Sequence, residues 1–258
     1  MRLTHLGGPT VLVEVDGWRI LTDPTFDPPG RRYAFGWGTS SRKTAGPALA
    51  ADEVGPVDVV LLSHDHHADN LDDAGRTALA SAGVVVTTAA GARRLGNGAL
   101  GLRAGEETVL SEPGKSSLTV RATPCRHGPP LSRPIVGPVV GFALRLGDQR
   151  RTALWMTGDT VLHGPLRRTA DELDVDVALV HLGLVRFPIT GPLRYSMDGK
   201  DAVELIAALE PRVAAPVHYE GWSHFSEPPA HLREAIAAAP PAVRERVVWL
   251  EPGAAREV

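Results

Sequence analysis

Apolar runs too short to be helices recur along the chain, separated by residues that favour turns. Rich in Val, Leu and Ile, they predict strands at residues 10–15, 18–21, 57–62, 84–88, 118–123, 139–146, 153–157, 177–180 and 213–217. Asp16-Gly17 between the first two predicts a tight hairpin, since that pair tolerates the left-handed backbone a two-residue turn needs. A helical period appears elsewhere. Ala202, Leu205, Ile206 and Leu209 fall at i, i+3, i+4 and i+7, and Pro211 stops the run. Pro228 and Pro229 suit a helix start, with Leu232 and Ile236 on its buried face. Asp72 or Asp73 caps a third predicted helix, running to about Ser81 and ended by Gly83. Residues 26–47 fit neither period, which predicts a functional cover or a disordered insertion. Tyr33, Phe35 and Trp37 argue against disorder, because aromatic rings seldom stay solvated.

Composition sharpens this outline. With 258 residues, 43% of them hydrophobic, the chain can bury a substantial core, and no repeat or low-complexity linker divides it. One domain over residues 1–258 is expected. A net charge of −3 provides no basic footprint, so no nucleic-acid partner is expected. No apolar stretch reaches membrane-spanning length, and the first residues lack a signal peptide's apolar core. The single cysteine, Cys125, excludes an internal disulfide and reads as a buried thiol. A cytoplasmic location and a small-molecule substrate are the expectations; a homo-oligomer stays open.

Candidate chemistry gathers at strand ends. VDVVLL runs into His64, Asp65, His66, His67 and Asp69; LTVRATP leads to His127; ALWMTG delivers Asp159; VAAPV delivers His218. In an extended segment His64 and His66 share one face, so they can share an ion. A catalytic zinc site takes about three protein ligands and leaves a position for water, and imidazole with carboxylate suits it. More oxygen in the donor set would favour manganese or iron. Singly, each residue reads as structural; together, at successive strand ends, they predict a metal centre.

Five motifs carry a family resemblance over nearly the whole chain: THLGGPTVLVEVDGWRILTDP, SHDHHADNLD, ATPCRHG, WMTGDT and PVHYEGW. In this order they resemble the metallo-β-lactamase-fold hydrolases, in the branch that contains L-ascorbate-6-phosphate lactonase and N-acyl-phosphatidylethanolamine phospholipase D. The resemblance implies an α/β fold, an αββα sandwich with a two-metal site along one edge of its sheets. It implies that His64, His66 and His127 hold a first divalent ion, that Asp159 bridges, and that Asp69 and His218 hold a second. Zinc is the expected metal, with manganese or iron as alternatives. Hydrolysis by a metal-activated hydroxide is implied, with Asp69 and Asp159 as catalytic carboxylates and Asp69 orienting the hydroxide.

The sequence departs from the family pattern His-x-His-x-Asp-His. His67 and Ala68 precede Asp69, and Asn70 stands where a histidine is expected, so the second site lacks one imidazole. Either His67 from a bulged backbone or Asn70 through its amide oxygen could fill the gap. For substrate contacts, the loops offer Tyr33, Trp37, His181, Arg186 and His224, together with arginines suited to a phosphate or carboxylate. The predicted substrate is a small ester, lactone, amide or phosphodiester, with an anionic one favoured by those arginines. Two other classes are open: a metal-binding protein of the same fold with little hydrolytic power, and a di-iron redox protein.

Overall fold

The computed structural model describes residues 1–258. Its strands, in chain order, begin with β1 (Arg2–Gly7), β2 (Thr10–Val15), β3 (Trp18–Thr22), β4 (Arg32–Gly36), β5 (Thr39–Arg42), β6 (Val57–Leu61), β7 (Ala82–Thr88) and β8 (Leu100–Leu102). They continue with β9 (Glu107–Leu110), β10 (Leu118–Pro124), β11 (Val140–Leu146), β12 (Thr152–Met156), β13 (Val175–His181), β14 (Val213–Val217) and β15 (Ala255–Glu257). The helices are α1 (Ala51–Val54), α2 (Asp73–Ala78), α3 (Ala89–Leu95), α4 (Arg133–Val136), α5 (Gly164–Glu172), α6 (Gly199–Leu209), α7 (Pro229–Ala237) and α8 (Pro241–Arg244).

Two sheets stack face to face. One runs β15-β1-β2-β3-β6-β7-β8 and the other β14-β13-β12-β11-β10-β9. The alternation of side chains builds the layers. On β6, Val59 and Leu61 enter the core between the sheets, while Val60 faces the outer layer with Val54 and Leu71. On β12 and β13, Leu154, Met156, Val177 and Leu179 point inward; Trp155, Ala178 and Val180 meet Leu166, Leu205 and Leu232 of α5, α6 and α7. Because these strands are buried on both faces, their sequences are continuous apolar runs. The layers are therefore helix, sheet, sheet, helix, the αββα arrangement expected.

Direction places the site. β3 and β6 are parallel, as are β12, β13 and β14. β10 and β12 are both antiparallel to β11 and so run the same way as each other. The C-terminal ends of β3, β6, β10, β12, β13 and β14 deliver Asp23, His64, His127, Asp159, His181 and His218 within a residue or a few of each strand's end.

Residues 26–47 are neither loose nor uniform. β4 and β5 form a separate hairpin turned at Trp37-Gly38, both in the left-handed region. Tyr33 is buried and donates its hydroxyl to Asp27 Oδ2 at 2.5 Å, and Lys43 Nζ pairs with Asp72 Oδ2 at 2.7 Å, both side chains buried. Asp72 also accepts from the backbone of Phe26, Asp27 and Gly75, so one carboxylate caps α2 and fastens the cover's base. Strands β1, β8, β9 and β15 and helices α1, α3, α4, α5 and α8 were also unanticipated; most are short or weakly patterned. No helix is long and apolar enough to cross a membrane.

Candidate metal centre

The turn after β6 is held by Asp23. Its Oδ1 accepts from Ser63 N at 2.6 Å and its Oδ2 from Asn70 Nδ2 at 3.1 Å, clamping both ends of HDHHAD. Asp65, inside that turn, is tied by Arg94, and its carboxyl is held low by Arg94 and His66 against the upward pull of burial. Arg76 caps the Asp65 carbonyl at 2.8 Å. His67 O accepts from Leu71 N at 2.9 Å, closing the turn, and Asp69 is presented at the site from within it.

Three tight groups of metal-binding atoms result. Within each of His64–His66–His67, His64–His127–Asp159 and Asp69–Asp159–His218, the donor atoms lie within 4.8 Å of one another. His64 belongs to the first two groups and Asp159 to the last two, so the groups form one continuous centre.

The imidazoles on the first side are oriented by partners. His127 Nδ1 donates to Tyr195 O at 2.7 Å, leaving Nε2 as the free lone pair; His66 Nε2 donates to Val136 O at 2.6 Å, leaving Nδ1. His64 Nδ1 sits 2.9 Å from Ser63 Oγ. Such outer bonds fix ring and tautomer in metal-ligating histidines. Gly137, in the left-handed region, makes room for this, because a Cβ there would collide with His66 Nε2. His67 Nδ1 approaches His64 Nε2 at 2.9 Å, so His67 joins the first side and not the second. Burial favours the neutral ring at three of these imidazoles: His64 and His127 are lowered, and His67 is lowered to about 3 by burial and by His127 and His66.

The second side is built differently. His218 Nδ1 lies 3.0 Å from Asp159 Oδ1, His218 Nε2 3.4 Å from Asp69 Oδ2, and His224 Nε2 3.1 Å from the same Asp69 oxygen. None of these approaches has hydrogen-bond geometry. Both nitrogens of His218 and of His224, both oxygens of Asp159 and Oδ1 of Asp69 are buried without a partner. Buried polar atoms left unpaired cost on the order of 1–3 kcal/mol each. Their convergence here fits a divalent cation, which would take one atom from each of these side chains. Burial would raise the two carboxyls, but His218 with His127 and His64 holds Asp159 low, and His218 with His224 holds Asp69 low. Burial would lower His218, but Asp159 and Asp69 lift it to about 10. Gly183 leaves space beneath, where a Cβ would meet Phe225 Cδ1 at 2.6 Å and His218 O at 2.8 Å.

The sequence candidates sort as follows. His64, His66, Asp69, His127, Asp159 and His218 come together. Asn70 is occupied by Asp23 through its amide nitrogen, although its Oδ1 is buried and unpaired. His181 packs against His218 with ring centroids 5.7 Å apart and planes tilted by 50°, and its Nε2 is 3.6 Å from Asp23 Oδ2. His224, offered by the sequence only as a substrate contact, lies against Asp69. Cys125 donates to Thr157 O at 3.0 Å, and burial, with Asp159 and Asp23, raises its thiol well above the ordinary value. His163, at the N-terminal end of α5, is buried outside these donor groups.

A cavity of about 50 Å³ stands over the centre, with His67, Asp69 and His127 in its wall. Phe35, Trp37, Ile135, Val136, Val185, Phe187 and Tyr195 supply the rest of its apolar lining. No arginine lines it. Arg31 pairs with Asp73 and Arg194 with Asp198 and Asp201, so those two are spent on the scaffold. A separate cleft of about 740 Å³ shares His127 and Val136 with the cavity and carries Arg93, Arg103, Arg126 and Arg133.

Fold and donor set define a metal-dependent hydrolase of the metallo-β-lactamase fold. A family model described as the beta-lactamase superfamily domain matches residues 18–219, and the chain belongs to that family. It is 30% identical to a UPF0173 metal-dependent hydrolase of Carboxydothermus hydrogenoformans, over 86% of each chain. Among solved structures, an isothiocyanate hydrolase from Delia radicum gut bacteria superposes with a TM-score of 0.81 at 20% identity, covering 100% of this chain and 99% of that one. A possible metal-dependent hydrolase from Veillonella parvula superposes at 0.79 with 21% identity, again over 100% and 99%. At those identities the two structures speak for the fold alone.

Proposed function

We propose that this chain hydrolyses a small ester, lactone, amide or phosphodiester at a centre of two divalent ions, with zinc the first choice. The supporting observation is the sharing of Asp159 between a histidine-rich donor group and a carboxylate-rich one. In this reading His64, His66 and His127 hold the first ion, Asp159 bridges, and Asp69 with His218 belongs to the second. When bound, a pair of such ions lowers the pKa of a water towards ~7 and polarises the bond to be broken.

The chain's own residues do the rest. Asp69, buried at the cavity wall, accepts a hydrogen bond from the attacking water and orients it. His67 stays neutral and turns its ring to the cavity, where it contacts the substrate's polar end. The apolar roof receives the substrate's body and excludes water. Exposed Trp37, Leu131, Ile135, Ile189 and Leu193 stand on the three segments that frame the roof. Apolar lining and rim together favour an apolar body over the anionic one expected from the arginines; an anionic group would have to draw on the neighbouring cleft. A single free thiol, Cys125, agrees with a cytoplasmic setting, and the shared 24-residue core between the sheets with a single domain over residues 1–258.

The test is turnover of a panel of uncharged esters, lactones and amides beside phosphodiesters, with zinc-, manganese- and iron-loaded protein. Hydrolysis that chelation abolishes and metal restores is expected. A protein that holds metal and turns over nothing on the panel would point to the non-enzymatic class, and reversible redox signals from bound iron to the di-iron one.

A further inference from the structure

The second donor group has Asp69, Asp159 and His218 but lacks the imidazole that Asn70 replaces in the sequence motif. We propose that His224, from the segment after β14, supplies that imidazole and is a direct ligand of the second ion. The inference rests on the two-ion reading above.

Four observations carry it. His224 Nε2 lies 3.1 Å from Asp69 Oδ2, the oxygen that His218 Nε2 also approaches, at 3.4 Å. Both ring nitrogens of His224 are buried and unpaired, and the approach to Asp69 lacks hydrogen-bond geometry, so the ring is not spent on holding that carboxylate. Its position is nonetheless fixed. Phe187 stacks on it at 5.4 Å between centroids, Phe225 packs edge-on at 4.7 Å, and Phe35 at 5.3 Å. The preceding residue, Ser223, is stitched to β5: its Oγ accepts from Arg42 N at 2.9 Å and its N donates to Arg42 O at 3.0 Å. A buried imidazole with two free nitrogens costs stability unless something binds it. A divalent ion beside Asp69 would bind the nitrogen nearest that carboxylate, Nε2.

The rival donors are weaker. Asn70 offers an amide oxygen, a poorer ligand for zinc than imidazole, while its nitrogen serves Asp23. His67 is turned to the first group by its 2.9 Å approach to His64. His181 lies behind His218, facing Asp23.

The test counts ions. Zinc-loaded wild-type protein, freed of excess metal, is expected to hold two ions per chain by elemental analysis, and His224→Gln about one, with second-site affinity at least ~100-fold weaker. Glutamine can still donate a hydrogen bond to Asp69, so a purely positioning histidine would leave the count at two, and that result overturns the inference. Cadmium-113-loaded wild-type protein provides a check free of mutation. The ion without the His127 coupling should couple to two imidazoles, those of His218 and His224; coupling to one alone also overturns it. Wild-type protein holding fewer than two ions would instead sink the two-ion reading itself, a different outcome from two ions that ignore His224.

Discussion

In the first donor group each imidazole has a nitrogen already engaged: His64 by Ser63, His66 by Val136 O, His127 by Tyr195 O. In the second, His218 and His224 have neither nitrogen engaged, and Asp159 has neither oxygen. In the first, burial holds His64 and His127 below the ordinary imidazole value; the second sets two carboxyls held low against a His218 that they lift to about 10. On the two-ion reading proposed above, the first would be organised by the scaffold before any ion arrives, and the second by the ion and by the segment that covers it. Affinity should follow: tight and geometry-limited on one side, conditional on the cover on the other.

The largest expected effect is on the organised side. His64→Ala or His127→Ala should abolish tight metal binding there and cut turnover by more than the ~10–100-fold that losing an outer partner costs. Metal content and activity both surviving would remove His64 and His127 from the ligand set. Lys43→Ala comes next, since it leaves the Asp72 carboxylate buried without its cation and should cost about 3–5 kcal/mol in a denaturant melt. Because Lys43 adjoins β5, to which Ser223 is hydrogen-bonded, this variant should weaken the second ion more than the first; equal weakening would erase the contrast between the groups. Gly137→Ala drives a methyl into His66, so first-ion affinity should fall by about 10–100-fold with the fold intact, as competition with a chromogenic chelator would read.

Acidity separates the groups without mutation. In metal-free protein His64, His67 and His127 have lowered pKa values, so below about 6.5 the unfolded chain binds protons that the folded one refuses. Melting temperature should therefore fall as pH drops from about 6.5 towards 3. His218 has the opposite sign: its raised pKa contributes stability that is complete below 6.5 and lost as pH rises through about 10. Uptake of the second ion must displace that proton, so its affinity should climb with pH across this range, more steeply than the first ion's. A melting temperature flat on both sides of neutrality would remove the electrostatic half of the comparison. The smallest effect belongs to Trp37→Ala. At 73% exposure its loss should change stability by no more than about 0.5 kcal/mol. It should raise KM and leave kcat, and an unchanged KM would take Trp37 out of the substrate's path.

Much of this was legible in the chain. Strands buried on both faces announce themselves as unbroken apolar runs, so β6, β10, β12, β13 and β14 could be placed, and with them the donors at their ends. The hairpin β4–β5 was missed because its outward positions, such as Arg32, Ala34, Ser40 and Arg42, hide the alternation. Tyr33 and Phe35, two apart with Trp37-Gly38 following, were the available signal. Helix α5 has a buried face in Leu166, Thr169 and Ala170 that is small and partly polar, and it escaped for the same reason.

The sequence by itself determined the core strands and the six donors at or near their ends, because these depend on residue type and local period. The αββα fold and the gap at Asn70 came from the family resemblance of its motifs. What could fill that gap was decided only in three dimensions. His67 and Asn70 are near Asp69 in the chain, yet a clamped turn sends one to His64 and ties the other to Asp23. His224, far away in sequence, reaches Asp69 because strand direction brings the ends of β6 and β14 to one edge and a hairpin fixes the segment beyond. Local spacing records which atoms are available; packing and hydrogen-bond partners decide which of them are free to meet.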